Sequence, residues 1–395
     1  MTKADKEGQR KAPILRFKGF TDDWEQRKLK NLITEPLSYG LSVSSKEYDG
    51  IHKYLRITDI DEKSRKFNKD KLTSPDIKFN SSSKKYLLSN NDIVFARTGA
   101  STGKTYMYQK EDGIVYYAGF LIKASLSSNF DNNFIFQQTY RKRYYQRVKV
   151  ISQRSGQPGI NSKEYGNFDF LITQIEEQNK IGKLFKIFDN LLALYEKKKQ
   201  LLTQLKQGIV NFLITKNGQK SQLRFSGFNN NWESKSFEKL LNYEQPTKYI
   251  VKKADYISQG TPVLTANKSF ILGYTNENNV YQNIPAIIFD DFTLESKYVD
   301  FPFMVKSSAI KILTSKNSNL FFIYQLLNNQ RFVQEGHSRH YISVVQKKKI
   351  LVPSIQEQNK IGNLIKQLEN NIEQNSDTIA LLKSLKEFLL QNIFL

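Results

Sequence analysis

Residues 97–105, RTGASTGKT, hold the glycines, lysine and hydroxyls of a phosphate-gripping loop at nearly the right spacing. A P-loop sets its first glycine one residue further from Gly-Lys-Thr than Ala100, Ser101 and Thr102 do here, so nucleotide hydrolysis is not expected. Arg97 and Lys104, with small hydroxyl residues between them, suit contacts to phosphates or base edges; a solvent-exposed hairpin turn is the alternative. Asp291, Glu295 and Lys297 in DDFTLESKY superficially match the carboxylate–lysine set of metal-dependent nucleases. That set is drawn from successive strands separated by a turn, and the spacing here is too short for one. The chain has no cysteine, which excludes thiol nucleophiles, disulfides and thiolate zinc sites, and His52, His337 and His340 are too scattered for a metal centre. Neither an Asn-Pro-Pro-aromatic signature of amino-methyltransferases nor a glycine-rich SAM loop occurs, so this chain is expected to be non-catalytic and to hold no metal or cofactor.

Basic and aromatic residues interleave where reading a duplex would require them. YRKRYYQR at 140–147 places Arg141, Lys142, Arg143 and Arg147 on a helix expected over 133–147, where they can neutralise phosphates. QRSGQPG at 153–159 offers Arg154 and Gln157, side chains suited to guanine and adenine edges, on a loop shaped by glycine and proline. GHSRHY at 336–341, with His337, Arg339 and His340, holds the matching place further along the chain. The formal net charge of +22 self-repels in the compact state, and a polyanionic partner is its economical explanation. A merely Lys-rich soluble surface is the bland one.

The elements that must position these groups come in two copies. LRFKGFTDDW at 15–24 returns as LRFSGFNNNW at 223–232, and EQNKIG at 177–182 returns unchanged at 357–362. Both tryptophans, Trp24 and Trp232, sit in the first motif. A period this long indicates duplicated domains and not a solenoid. After each EQNKIG the apolar residues alternate in steps of three and four, the pattern of a coiled-coil helix. In the first helix the expected seam runs through Ile181, Leu184, Phe188, Leu191, Tyr195, Lys198, Leu202, Leu205, Ile209 and Phe212. In the second it runs through Ile361, Ile365, Leu368, Ile372, Asn375, Ile379, Leu382, Lys386, Leu389 and Ile393. Repeated halves invite antiparallel packing, with Ile181 opposite Leu389 and Leu202 opposite Leu368, an index sum of 570. Lys198 either fixes that register together with Asn375 or snorkels to water.

Between motif and helix, Tyr54–Ile57, Asp92–Ala96, Ile114–Ala118, Ala286–Phe289 and Phe301–Lys306 read as strands, and 319–332 as the counterpart of the 133–147 helix. The expected fold is α+β: two α/β globules, residues 1–172 and 216–352, and two long antiparallel coiled-coil helices, residues 173–215 and 353–395, in a pseudo-two-fold internal repeat. The polar first residues and the lack of a long apolar span lead to a cytoplasmic expectation, with no membrane partner.

LRFKGFTDDWEQRKL, its second copy LRFSGFNNNWESKSF and the two EQNKIG helix starts resemble the specificity subunit of type I restriction-modification systems, over essentially the whole chain. The resemblance implies two target-recognition domains, each reading one half of an interrupted site in double-stranded DNA, held apart by spacer helices. It also implies partners: modification subunits that bind SAM and methylate adenine, and restriction subunits that use ATP and Mg to translocate and cleave. The recognition subunit of a system with a fused methyltransferase–nuclease partner, and a coiled-coil adaptor that binds no DNA, are the alternatives.

Overall fold

The computed structural model describes residues 13–213, 224–253, 255–267, 269–332 and 340–394. The chain divides into two compact units, Met1–Leu194 with Thr378–Leu395, and Tyr195–Asp377. Each is an α+β globule joined by the start of its own long helix and the end of the other. No helix among the described residues is long and apolar enough to cross a membrane.

The centre of the first unit is an antiparallel sheet in the order Ser38–Tyr39, Leu121–Ser125, Asp92–Ala96, Thr105–Met107. Every residue of Asp92–Ala96 is buried because the strand is covered on both faces. Ile93 and Phe95 enter one cluster with Phe134, Tyr165 and Phe185, while Val94 and Ala96 enter another with Leu55, Tyr106 and Tyr117. That alternation is the period-two geometry of a strand inside a sandwich. The second unit repeats the order with Asn242–Glu244, Ile310–Thr314, Ala286–Asp290 and Ser296–Val299. There Ile287 and Phe289 face one cluster and Ala286 and Ile288 the other. The other expected strands shrink to Lys53–Leu55, Val115–Tyr117 and Met304–Val305.

The expected 133–147 helix is two helices, Asn132–Gln138 and Lys142–Ile151. Thr139 ends the first: its hydroxyl donates to the Phe136 carbonyl and meets the Thr105 hydroxyl, each at 2.8 Å. Arg141 is extended (φ −72°, ψ 147°), which restarts the chain in a new direction. Its counterpart is a single helix, Leu320–Asn328.

The recurring motifs form a clasp. The strand Glu25–Lys28 after the first motif pairs with Asp169–Ile172, and Glu233–Ser236 pairs with Lys349–Val352. The fully buried Glu177 carboxylate accepts two N–H groups of Arg16 at 2.7 and 2.9 Å, the Trp24 ring N–H at 3.2 Å and the Thr173 hydroxyl. Gln178 donates to the Thr173 carbonyl at 2.6 Å and accepts the Asp131 N–H at 3.1 Å. Asp131 caps the Asn132–Gln138 helix through the Phe134 N–H at 2.7 Å, and a Cβ on Gly182 would stand 1.9 Å from its Oδ1. In the second unit Glu357 accepts Arg224 at 3.0 and 2.6 Å, Gln358 reaches Pro353 and Asn319, and Gly362 leaves room for Asn319. Two bonds of the first clasp have no counterpart there: the buried Trp232 ring N–H has no acceptor among the described residues, and Pro353, in the place of Thr173, has no hydroxyl to donate.

The long helices span Ile175–Leu213 and Ile355–Ile393. In the first unit Asp189 pairs with Lys386 at 2.6 Å, and Gln137 donates to Asp189 at 3.0 Å. In the second, Glu369 pairs with Lys206 at 2.5 Å, and Gln325 donates to Glu369 at 3.2 Å. Both ion pairs give antiparallel neighbours with an index sum of 575, which corrects the expected 570 by more than one helical turn.

The seam of the second helix follows the expected positions: Leu368, Asn375 and Ile379 are buried, Ile372 and Leu382 half-buried. In the first helix every other expected position is displaced by one. Phe188 is buried and Tyr195 and Leu202 are half-buried, but Phe185 replaces Leu184 as the fully buried residue, and Lys206 faces the partner helix in place of the exposed Leu205. Leu191 shares its burial with Leu192. Lys198 is exposed, its ammonium 5.9 Å from the Tyr195 ring, so it is not a seam residue and Lys199 turns inward instead.

Candidate nucleic-acid interface

Two loops of the first unit are tied into one surface. The 97–104 loop leaves the central strand, and the 153–159 loop follows the Lys142–Ile151 helix. Thr98 bridges Gly159, the Gly99 N–H donates to the Pro158 carbonyl at 2.9 Å, and the Ile160 N–H donates to the Arg97 carbonyl at 2.9 Å. Beneath them the Tyr165 hydroxyl donates to the Ala96 carbonyl at 2.6 Å and accepts the Gly103 N–H at 3.0 Å. Gly103 has φ +88°, and a Cβ there would stand 2.5 Å from Val148. The GASTGKT stretch is therefore a pinned turn between antiparallel strands, with no helix behind it to aim N–H groups at a phosphate.

On this surface the half-buried Arg97 guanidinium lies 4.8 Å above the Tyr39 ring, whose hydroxyl accepts the Ser162 N–H at 3.0 Å. Stacking fixes the plane of the fork and leaves its N–H edge available. Gln157 lies beside Gly99, with the Thr98 hydroxyl 3.4 Å from its carbonyl oxygen. Phe120, 59 % exposed, stands in the turn that leads from Val115–Tyr117, in one sheet, to Leu121–Ser125, in another.

Arg154 differs from its expected role. Its guanidinium is engaged by Glu164 at 2.5 Å and by the carbonyls of Ile151 and Gln153 at 2.8 Å, so it frames the loop as well as edging it. Lys104 does not belong to the interface: its side chain is 10 % exposed and its ammonium is held by Glu62 at 2.6 Å and by the Ile60 carbonyl.

Arg141, Arg143 and Arg147 line one recess of about 310 Å³ together with Tyr144, Phe168 and Asp169. Burial, with the neighbouring Arg143 charge, lowers the Arg141 pKa to about 10. Concentrated positive charge of this kind favours an anion. The helix that carries it is held down by Arg65, which sequence reading missed. Arg65 is 3 % exposed, lies 5.2 and 5.3 Å from the Tyr140 and Tyr145 rings, and donates to the Thr105 hydroxyl at 2.6 Å. A lone arginine in a lysine-rich stretch carries no signal of this. Tyr39 and Phe120 were missed as well.

In the second unit His337 and Arg339 lie outside the described residues. His340 is 2 % exposed, with its ring nitrogen 3.3 Å from the Asp291 carbonyl oxygen. It is a core residue and not a DNA contact, because the turn Tyr341–Val345 that follows it is packed into the globule. Asp291 accepts the Tyr341 N–H at 2.8 Å and pairs with the buried Lys311 at 3.4 Å, so the nuclease-like carboxylate is committed inside the fold. Among the described residues no group of His, Asp or Glu could hold a metal ion.

Residues 21–204 and 229–384 match the family described as type I restriction modification DNA specificity domain. The chain is 50% identical over 123 residues to the type I restriction enzyme EcoR124I/EcoR124II specificity subunit of Escherichia coli, a match covering 29% of this chain and 30% of that protein. The chain thus spans less than a third of that relative in the matched stretch. It is 24% identical over 391 residues to the putative type I restriction enzyme MjaX specificity subunit of Methanocaldococcus jannaschii, covering 89% of this chain and 88% of the relative. Its fold is that of the type I restriction-modification S subunit from M. genitalium, with a TM-score of 0.72 at 16% identity over 97% of this chain and 99% of that one.

Proposed function

The chain belongs to the type I restriction modification DNA specificity family, and from that premise we propose that it is the sequence-reading subunit of a type I complex, with residues 1–172 and 216–352 each recognising one half of an interrupted duplex site and residues 173–215 and 353–395 acting as spacers. The observation that carries this is the duplication itself. Two units with the same strand order and the same Arg–Glu clasp carry different residues at the same place after the central strand, Arg97 in one and Asp291 in the other, as two readers of unlike half-sites require. In the first unit the Arg97–Tyr39–Gln157 surface reads base edges, and the Arg141–Arg143–Arg147 recess holds backbone phosphate. Catalysis belongs to partners: modification subunits that bind SAM and methylate adenine, and restriction subunits that use ATP and Mg. The carboxylates and histidine seen near the loops are tied up in the fold.

The test is binding and turnover with defined components. The purified chain should bind duplex DNA with an association constant that falls steeply with salt, by several log units per log unit of salt if roughly 6–10 phosphates are neutralised. Alone it should methylate nothing, and adenine methylation should appear on adding the modification subunit. Salt-independent binding, or methylation by the chain alone, would refute the proposal.

A further inference from the structure

Arg97 and Asp291 occupy the same backbone address in their two units. Each follows the buried central strand and donates its N–H to the residue that opens the neighbouring strand, Arg97 to Phe120 and Asp291 to Ala309, both at 3.0 Å. Each also accepts a second backbone N–H, that of Ile160 at 2.9 Å and that of His340 at 3.4 Å. In the second unit the address is closed. Asp291 and Lys311 are each 1 % exposed and satisfy one another, and the opening residue is a small alanine. In the first unit it is open, with the Arg97 fork laid on Tyr39 and Phe120, its backbone partner across the strands, 59 % exposed.

A single exposed phenyl ring is ordinary on a protein surface. This one is held out by a rigid backbone. The Gly119 N–H donates to the Leu41 carbonyl at 2.6 Å, the Leu121 N–H donates to the Ala118 carbonyl at 2.8 Å, and the Phe120 carbonyl takes the Arg97 N–H. A Cβ on Gly119 would stand 2.6 Å from the Ser42 hydroxyl, so the tip is also closely packed from below. The major groove offers one apolar group, the thymine C5-methyl, beside the guanine acceptors that suit an arginine fork.

We propose that Phe120 is a specificity-determining residue of the first unit, seated against a thymine methyl next to the base read by Arg97. This rests on the DNA-reading function above. The experiment uses the complex of this chain with its modification subunit and duplexes carrying its mapped site, with each thymine replaced in turn by deoxyuridine, which removes only the methyl. The wild-type complex should lose about three- to fivefold in affinity at one position of one half-site, the worth of one buried methyl. Phe120→Ala should lose a similar factor on the natural site, become indifferent to that replacement and keep its thermal midpoint, while Phe120→Leu should stay sensitive. Insensitivity of the wild type to every replacement, a half-site without an A·T pair, an equal loss of Phe120→Ala on all duplexes, or wild-type behaviour of Phe120→Ala would each overturn the assignment. The last outcome would turn the ring toward a protein partner. A wild-type complex with no sequence preference at all would instead remove the DNA-reading premise.

Discussion

Replacing Glu177 by Gln should destabilise the first unit more than replacing Glu357 by Gln destabilises the second. Both carboxylates are fully buried, but their partners differ. Glu177 holds Arg16, whose side chain is 12 % exposed, together with Trp24 and Thr173; Glu357 holds Arg224, which is 24 % exposed and has water as an alternative partner. Neutralising Glu177 leaves a nearly buried cation unpaired, at about 3–5 kcal/mol. Loss of the more exposed Arg224 contact should cost about 1.5–3 kcal/mol, the value of a charge-assisted hydrogen bond. The two tryptophans make the comparison direct, because Trp24 reports the first unit and Trp232 the second. In a Trp232→Phe background, Glu177→Gln should lower the urea midpoint of Trp24 fluorescence by at least about 1 M. In a Trp24→Phe background, Glu357→Gln should shift the Trp232 transition by less. Equal shifts, or a larger one in the second unit, would show that the tryptophan and threonine contacts add nothing to the first clasp.

Further outcomes follow from the helices. Gly182→Ala should destabilise by about 2 kcal/mol, because its Cβ would displace the Asp131 cap. Gly208→Ala, with no atom within 4 Å, should stabilise by up to about 1 kcal/mol through helix propensity, and thermal melts of both variants decide this. Leu205→Lys, at an exposed position, should change unfolding free energy by no more than about 0.5 kcal/mol, whereas Leu368→Lys should fail to fold or melt far lower. A heptad inserted after Lys199 and another after Ser376, facing layers in the 575 register, should lengthen each helix by about 10 Å. The methylated site should then keep both halves with roughly three more base pairs between them; an unchanged gap would remove the spacer role.

The duplication, the strand order's buried centre and the long helices were legible because each leaves a pattern in residue type. Asp92–Ala96 is a short apolar run bounded by turn residues, and the helices carry a heptad. The phase of the first helix was misread because its apolar pairs are degenerate: Leu184-Phe185, Leu191-Leu192 and Lys198-Lys199 give no preference, and Leu205 outranks Lys206 on hydrophobicity alone. The repeat contained the answer, since Leu205-Lys206 and Leu385-Lys386 occupy equal places after EQNKIG, and Lys386 already fitted the second seam. The break at Thr139 left no trace, having neither glycine nor proline, because it depends on the distant Thr105. For the interface, charge identified the arginines, but contacts far apart in sequence decided which are available. Lys104 is taken by Glu62, Arg154 by Glu164, and His340 by the core. Tyr39 and Phe120 join Arg97 only through strand pairing across the sheet.

Mapping methylated adenines across genomic DNA, in cells with this chain and in cells lacking it, tests the central claim most directly. One two-part motif with a fixed gap of unspecified bases should appear, modified only when the chain is present, and Arg97→Ala should relax one half alone. A continuous motif, a motif that persists without the chain, or relaxation of both halves by Arg97→Ala would contradict that claim.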